Sequence, residues 1–154
     1  ISLYDKESDL FKFMQTSDLM QTDNQILKKF SGVLSSKPFT QFIEFITQNQ
    51  LKAHKIDLFG SLYQNTDFLI CHDDRLEGRK VAFILYFSDF KKKEGGALSL
   101  YSSKNNKPIT AVKKIAPKKN SFVFFTVCKE SFHSIDEVTV DKQRIALSGW
   151  FHEY

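Results

Sequence analysis

The sequence predicts a mainly β protein with supporting helices at its amino-terminal end (α+β), folded as an antiparallel sandwich or jelly roll. Two observations predict it. Up to about residue 49 the apolar residues recur at helical spacing, and from about Leu51 onward they alternate as strands do. Eight short β-branched and aromatic runs then follow with no helical stretch between them, and turn-prone segments set them apart.

Taken in order, Ser8 is placed to cap a short helix carrying Leu10, Phe11 and Phe13. Thr22 or Asp23 starts a second helix, with Ile26, Leu27 and Phe30 on one stripe and Gly32 at its end. Pro38 suits the first turn of a third. Its Phe39, Phe42, Ile43 and Ile46 fall at i, i+3, i+4, i+7, a stripe that packs on something broad and flat. The expected strands are residues 56–63, 67–72, 81–88, 97–102, 109–115, 121–127, 137–140 and 144–152. Gly95-Gly96, after a lysine run, reads as a hairpin turn, with a mobile loop as the alternative. Residues 1–154 thus read as one domain, helices in 1–50 and a jelly-roll core in 51–154.

Composition narrows the class. The chain is 42% hydrophobic and contains 16 Phe, enough to bury a sizeable core and exclude wholesale disorder. The net charge of +4 reads as ordinary solvated lysines. The lysine clusters at 91–93 and 113–119 sit at turns or strand edges, where they discourage sheet-to-sheet pairing, so no direct nucleic-acid binding is expected. Cys71 and Cys128 form no CxxC pair and read as reduced core thiols of a protein of the cytoplasm and nucleus. The longest apolar stretch, Val81 to Phe87, is strand-length, far short of the ~20 residues that span a bilayer, so no membrane partner is expected. No signal peptide is visible, and a chain running from Ile1 to Tyr154 reads as a piece of a longer protein.

The chemistry is carried by a constellation. His72-Asp73-Asp74 closes one expected strand, and residues i and i+2 of an extended chain share a face, so His72 and Asp74 can converge on one ion. His133 is a third donor, 59 residues beyond Asp74. Two imidazoles and a carboxylate form the facial triad of non-haem iron(II) oxygenases, which leaves positions open for a keto acid and dioxygen. Zinc usually closes its shell with four ligands, and sulfur donors are absent from this set. Arg144 opens the last expected strand, and its planar fork suits the far carboxylate of a dicarboxylate cosubstrate. A strand beside that of His72 is expected to place it deep in the barrel. Each element alone is weak; their order on an all-β background is what points to iron.

Several stretches also resemble a known family. They are Tyr63-Gln-Asn-Thr-Asp-Phe-Leu-Ile-Cys-His-Asp-Asp-Arg-Leu-Glu-Gly-Arg79, Val81-Ala-Phe-Ile-Leu-Tyr86, Gly95-Gly-Ala-Leu-Ser-Leu-Tyr101, Phe124-Phe125, Ser131-Phe-His133 and Arg144-Ile-Ala-Leu-Ser-Gly-Trp-Phe-His152. Ser8 to Phe13 and Asp18-Leu19 also look like that family's first helix. Together they resemble the iron(II)- and 2-oxoglutarate-dependent ribosomal prolyl 3-hydroxylases, nearly end to end. The resemblance implies a double-stranded β-helix in which His72, Asp74 and His133 bind Fe(2+). It implies that Arg144 binds 2-oxoglutarate with help from the hydroxyls of Tyr63 and Tyr86, and that ascorbate serves as reductant. The implied reaction hydroxylates a proline of a small-subunit ribosomal protein with dioxygen while 2-oxoglutarate is decarboxylated to succinate; a regulatory protein partner is also implied. Two departures stand out: a second jelly roll found in relatives is absent here, and Ala146 replaces a hydroxyl residue of some relatives. The alternatives are a jelly-roll binding module without turnover, and an oxygenase of the same class acting on another protein or a nucleic acid.

Overall fold

The computed structural model describes residues 1–76 and 78–154; Glu77, part of the Leu-Glu-Gly-Arg motif, lies outside the described residues. The amino-terminal segment departs from expectation. Instead of a helix over Ser8 to Phe13 there is a hairpin of two strands, β1 (Leu3–Ser8) and β2 (Phe11–Thr16). Phe11, Phe13 and Gln15 alternate with Lys12 and Met14, a period of two that a short helical reading obscured. β1 is exposed throughout, so it carries no burial pattern to read.

Two helices follow, α1 (Gln25–Leu34) and α2 (Lys37–Thr47). The cap of α1 is Asn24, not Thr22 or Asp23: its side chain accepts hydrogen bonds from the Ile26 and Leu27 amides. Gly32 does not end the helix, which runs past it to Leu34. Pro38 does lie in the first turn of α2, after a Ser36 cap. Of its predicted stripe, Phe39 and Ile43 pack inward, whereas Phe42 and Ile46 are exposed.

The remaining strands are β3 (Ile56–Tyr63), β4 (Phe68–His72), β5 (Arg79–Tyr86), β6 (Leu98–Lys104), β7 (Lys107–Ile115), β8 (Phe122–Thr126), β9 (His133–Ile135) and β10 (Arg144–His152). All pair antiparallel, in the order β7-β6-β9-β4-β2-β3-β10-β5-β8, with β1 beside β2. The strand expected at 137–140 is absent. Its backbone is used otherwise: Val138 N–H donates to Asp67, and the Val138 carbonyl accepts from Thr66 N–H. The short strand β9 lies just upstream instead. The terminal strand β7 carries Lys107, Lys113 and Lys114, as edge protection requires. No helix among the described residues is long and apolar enough to cross a membrane.

The sheet curls on itself. β8 ends the strand order and β9 is third from the other end, yet Phe125 and His133 meet with ring centroids 4.8 Å apart. Curling gives the central strands two buried faces, which is why Val81 to Tyr86 reads as one continuous apolar run. Val81, Phe83 and Leu85 face the helices, in a core with Leu34, Ile43, Leu58 and Phe151. Ile84 and Tyr86 face inside, with Tyr63, Leu98, Ile135 and Val138. β10 divides in the same way: Leu147 and Phe151 face the helices, while Arg144, Ala146, Ser148 and Trp150 line or border the interior. Gly149 lets β10 lie close to β3, since a Cβ there would run into the Asp57 carbonyl and the Phe83 ring. Cys71 is half-buried and Cys128 exposed, so neither is a core thiol; both are free.

Candidate metal centre and cosubstrate pocket

β4 and β9 pair with His72 directly opposite His133, which alone sets the two imidazoles side by side, 4.2 Å between centroids. Asp74 arrives by a route that the i, i+2 argument did not foresee. β4 ends at His72, and Asp74 has φ 60°, a left-handed conformation that aspartate tolerates better than most residues. The turn brings its carboxylate against both rings, Oδ1 3.2 Å from His72 Nε2 and Oδ2 3.3 Å from His133 Nε2. One donor atom from each of His72, Asp74 and His133 lies within 4.8 Å of the others, close enough to share an ion.

Backbone carbonyls fix which nitrogen each ring offers. His72 Nδ1 lies 2.8 Å from the Ile70 carbonyl and His133 Nδ1 2.8 Å from the Ser131 carbonyl. A carbonyl only accepts, so Nδ1 carries a hydrogen in each ring, and Nε2 is the nitrogen that faces the shared point and would offer its lone pair to a metal once free of its proton. Ser131 Oγ lies 2.9 Å from the Asp73 carbonyl and 2.8 Å from that of Cys128, which share its one hydrogen, so the segment before His133 sits against the segment that carries Asp74. Burial would push the Asp74 carboxyl up, but the hydrogen bonds and charge of His133 and His72 outweigh it and hold it well below the usual carboxylate range. Burial would lower the His72 imidazole, and the Asp74 carboxylate overrides this and raises it.

Arg144 stands in the same cavity, of about 160 Å³, which Tyr63, His72, Asp74, Phe125, His133 and Trp150 also line. It is 1% exposed. Its strand is not beside that of His72: β10 lies between β3 and β5, and curling carries it across the interior. Nε–H donates to the Gly96 carbonyl at 2.8 Å, Nη2 approaches the Tyr86 hydroxyl at 3.5 Å, and the guanidinium lies about 5 Å from the Tyr63 and Tyr86 ring centres. Among the described residues no carboxylate comes within 4.0 Å of it. A buried cation with hydrogen bonds but no counter-ion suits a ligand that brings its own carboxylate. Burial pushes the Tyr63 and Tyr86 hydroxyls up despite Arg144, so both remain protonated donors.

Sequence reasoning missed other residues at this site. Phe13 and Gln15 of the unforeseen β2 line the cavity, and Phe13 stacks on Tyr63 at 4.8 Å. Trp150 Nε1–H donates to Asp74 Oδ2 at 3.0 Å. Counting in twos from Arg144 along its strand reaches Trp150, a signal that was present.

A curled antiparallel sheet enclosing two histidines, one carboxylate and an unpaired arginine defines the class of jelly-roll, non-haem metal oxygenases. Residues 58–152 match the model of the 2OG-Fe(II) oxygenase superfamily, and the chain belongs to that family. The family's cofactors, Fe(2+) and 2-oxoglutarate, fit the nitrogen and oxygen donors and the free guanidinium found here. The chain is 42% identical to prolyl 3-hydroxylase OGFOD1 of Xenopus laevis, over 96% of this chain and 29% of that protein. It is 36% identical to prolyl 3-hydroxylase sudestada1 of Drosophila melanogaster, again over 96% of this chain and 29% of that one. It therefore spans about three tenths of the length of these relatives. A prolyl-4-hydroxylase of Pseudomonas putida shares the fold at a TM-score of 0.76 and 18% identity, covering 99% of this chain and 77% of the other. A prolyl hydroxylase of Trichoplax adhaerens, in complex with a hypoxia inducible factor peptide, does so at 0.69 and 14%, covering 98% and 70%.

Proposed function

We propose that residues 1–154 form the catalytic domain of an iron(II)- and 2-oxoglutarate-dependent dioxygenase that hydroxylates a prolyl residue of a protein. The observation that carries this reading is the buried Arg144, which meets no carboxylate within 4.0 Å among the described residues, in one cavity with His72, Asp74 and His133. In this reading His72 Nε2, His133 Nε2 and Asp74 hold the iron. Arg144 holds the far carboxylate of 2-oxoglutarate, with the Tyr86 hydroxyl beside it; Tyr63 supports the guanidinium from its ring face. When bound, the iron supplies the oxidising chemistry that links decarboxylation to hydroxylation. The chain supplies orientation and an aromatic wall of Phe13, Phe59, Phe125 and Trp150 that limits water.

The prolyl specificity is supported by the two relatives named prolyl 3-hydroxylases. A small-subunit ribosomal protein as substrate, a regulatory protein partner and ascorbate as reductant rest on the resemblance of the sequence motifs. Two free thiols support a reducing location, in the cytoplasm and nucleus. The test is succinate production from 2-oxoglutarate with Fe(II), with and without a proline-containing ribosomal-protein peptide, followed by mass analysis of the peptide. Peptide-stimulated succinate with a gain of one oxygen, both lost in His133→Ala, is the expected result. Partner binding without turnover would leave the chain a docking module.

A further inference from the structure

Asp74 has two carboxylate oxygens, and something must decide how they are used. We infer that Trp150 is a positioning residue for the metal: its indole N–H holds Asp74 Oδ2, so that Oδ1 is left to ligate. The inference rests on the metal reading above. Three observations carry it.

First, Trp150 is the donor that Oδ2 has. Trp150 Nε1 lies 3.0 Å from Oδ2, whereas His133, 3.3 Å away through Nε2, already uses its Nδ1 proton on the Ser131 carbonyl. The indole keeps its hydrogen at every pH, and with a metal held on His133 Nε2 it would be the N–H that Oδ2 still accepts from. Second, the indole is held from several sides. Trp150 pairs in register with Asp57 of β3 and Ala82 of β5, and its ring packs on Phe59 at 5.4 Å. Third, a cation covers it. The Arg79 guanidinium sits 3.4 Å from the indole centre, and Asp57 Oδ2 lies 3.8 Å from Arg79 Nε and 3.1 Å from His152 Nε2. A cation over the ring draws density from it and makes the N–H a better donor. The carboxylate of Asp74 is thus braced through Trp150 by residues of β3, β5 and β10, strands that carry none of the three metal donors.

Trp150 is the only tryptophan in the sequence, which makes the test clean. Mn(II) alone is titrated calorimetrically into the wild type, Trp150→Phe, Arg79→Met and His133→Ala, with the metal-free unfolding midpoint of each recorded. Trp150→Phe should bind Mn(II) about 10- to 100-fold more weakly, the usual effect of losing a partner of a metal ligand. Arg79→Met should weaken it about two- to fivefold through the lost cation–ring contact. The single indole N–H resonance of the wild type should shift in Asp74→Asn. Equal Mn(II) affinity in folded Trp150→Phe, or an indole resonance indifferent to Asp74→Asn, overturns the inference. Should Trp150→Phe not fold, benzothienylalanine in place of Trp150 removes only the N–H and is judged by the same affinities. Loss of Mn(II) in His133→Ala alongside equal affinity in Trp150→Phe defeats only the role of Trp150. A wild type that takes up no Mn(II), or a His133→Ala that takes it up equally, defeats the metal reading itself.

Discussion

The Gly96 carbonyl accepts a hydrogen bond from Arg144 Nε at 2.8 Å, and Gly96 adopts φ +66° to present it. A Cβ on Gly96 would lie 3.1 Å from Arg144 Cδ, so this turn both anchors the guanidinium and leaves it room. Gly96→Ala should strain the backbone by roughly 1–3 kcal/mol and displace Arg144. The expected outcome is a KM for 2-oxoglutarate raised about tenfold, with Mn(II) affinity unchanged, as steady-state assays and calorimetry would show. A KM equal to that of the wild type contradicts it.

Arg144 itself should behave unlike an ordinary buried arginine. Without ligand it is a desolvated cation with no counter-ion among the described residues, which costs free energy. Arg144→Met should leave the unfolding midpoint of the ligand-free protein unchanged or higher. The same variant should lose the stabilisation that 2-oxoglutarate gives the metal-loaded protein, since each charge-assisted bond is worth roughly 1.5–3 kcal/mol. Thermal unfolding with and without cosubstrate checks both signs.

The pH response should differ between the metal-free and metal-loaded protein. The His72 imidazole is raised in the metal-free fold, so its contribution to stability is full below its unfolded pKa of about 6.5 and fades as pH rises through the higher folded value. Asp74 is lowered, and its contribution holds above its unfolded value of about 3.9 and fades only in stronger acid. A metal must displace the His72 proton to bind. The rise in unfolding midpoint produced by Mn(II) should therefore grow between about pH 6 and pH 8. A rise independent of pH over that range would show that the imidazoles are not the ligands.

Phe83 lies 5.1 Å from Phe151 and 5.6 Å from Phe122 between ring centres, beneath the helices. Phe83→Ala should cost about 3–5 kcal/mol, measured by denaturant unfolding, through a cavity that the paired strands prevent from collapsing.

How much of this was legible in the sequence depended on the range of the forces involved. The strands from Ile56 to Tyr63 and from Arg144 to His152 were readable because alternation and turn residues are local signals. That His72, Asp74 and His133 come together was readable because two imidazoles and a carboxylate are a restricted choice of side chains. What was not readable came from distance. β2 pairs with β1 in a local hairpin, but β1 is exposed throughout and the partners that bury β2, β3 and β4, lie tens of residues away, so little outweighed a capped helix at Ser8. Residues 137–140 have strand composition, yet their backbone groups bond to the Thr66-Asp67 turn. Arg144 was placed in the right cavity by the wrong neighbour, since curvature is a property of the whole sheet. The geometry of Asp74 depended on a single left-handed residue that no periodicity encodes.

The amino-terminal hairpin sets a lower limit on how far the molecule can be trimmed. In the strand order of the described residues, β2 joins the half-sheet holding His72 and His133 to the half-sheet holding Arg144. A version cut back to the family-matched region, residues 58–152, would keep His72, Asp74, His133 and Arg144 and lose the seam between them. Such a fragment could hold the right amino acids and still have no vessel to bring them together.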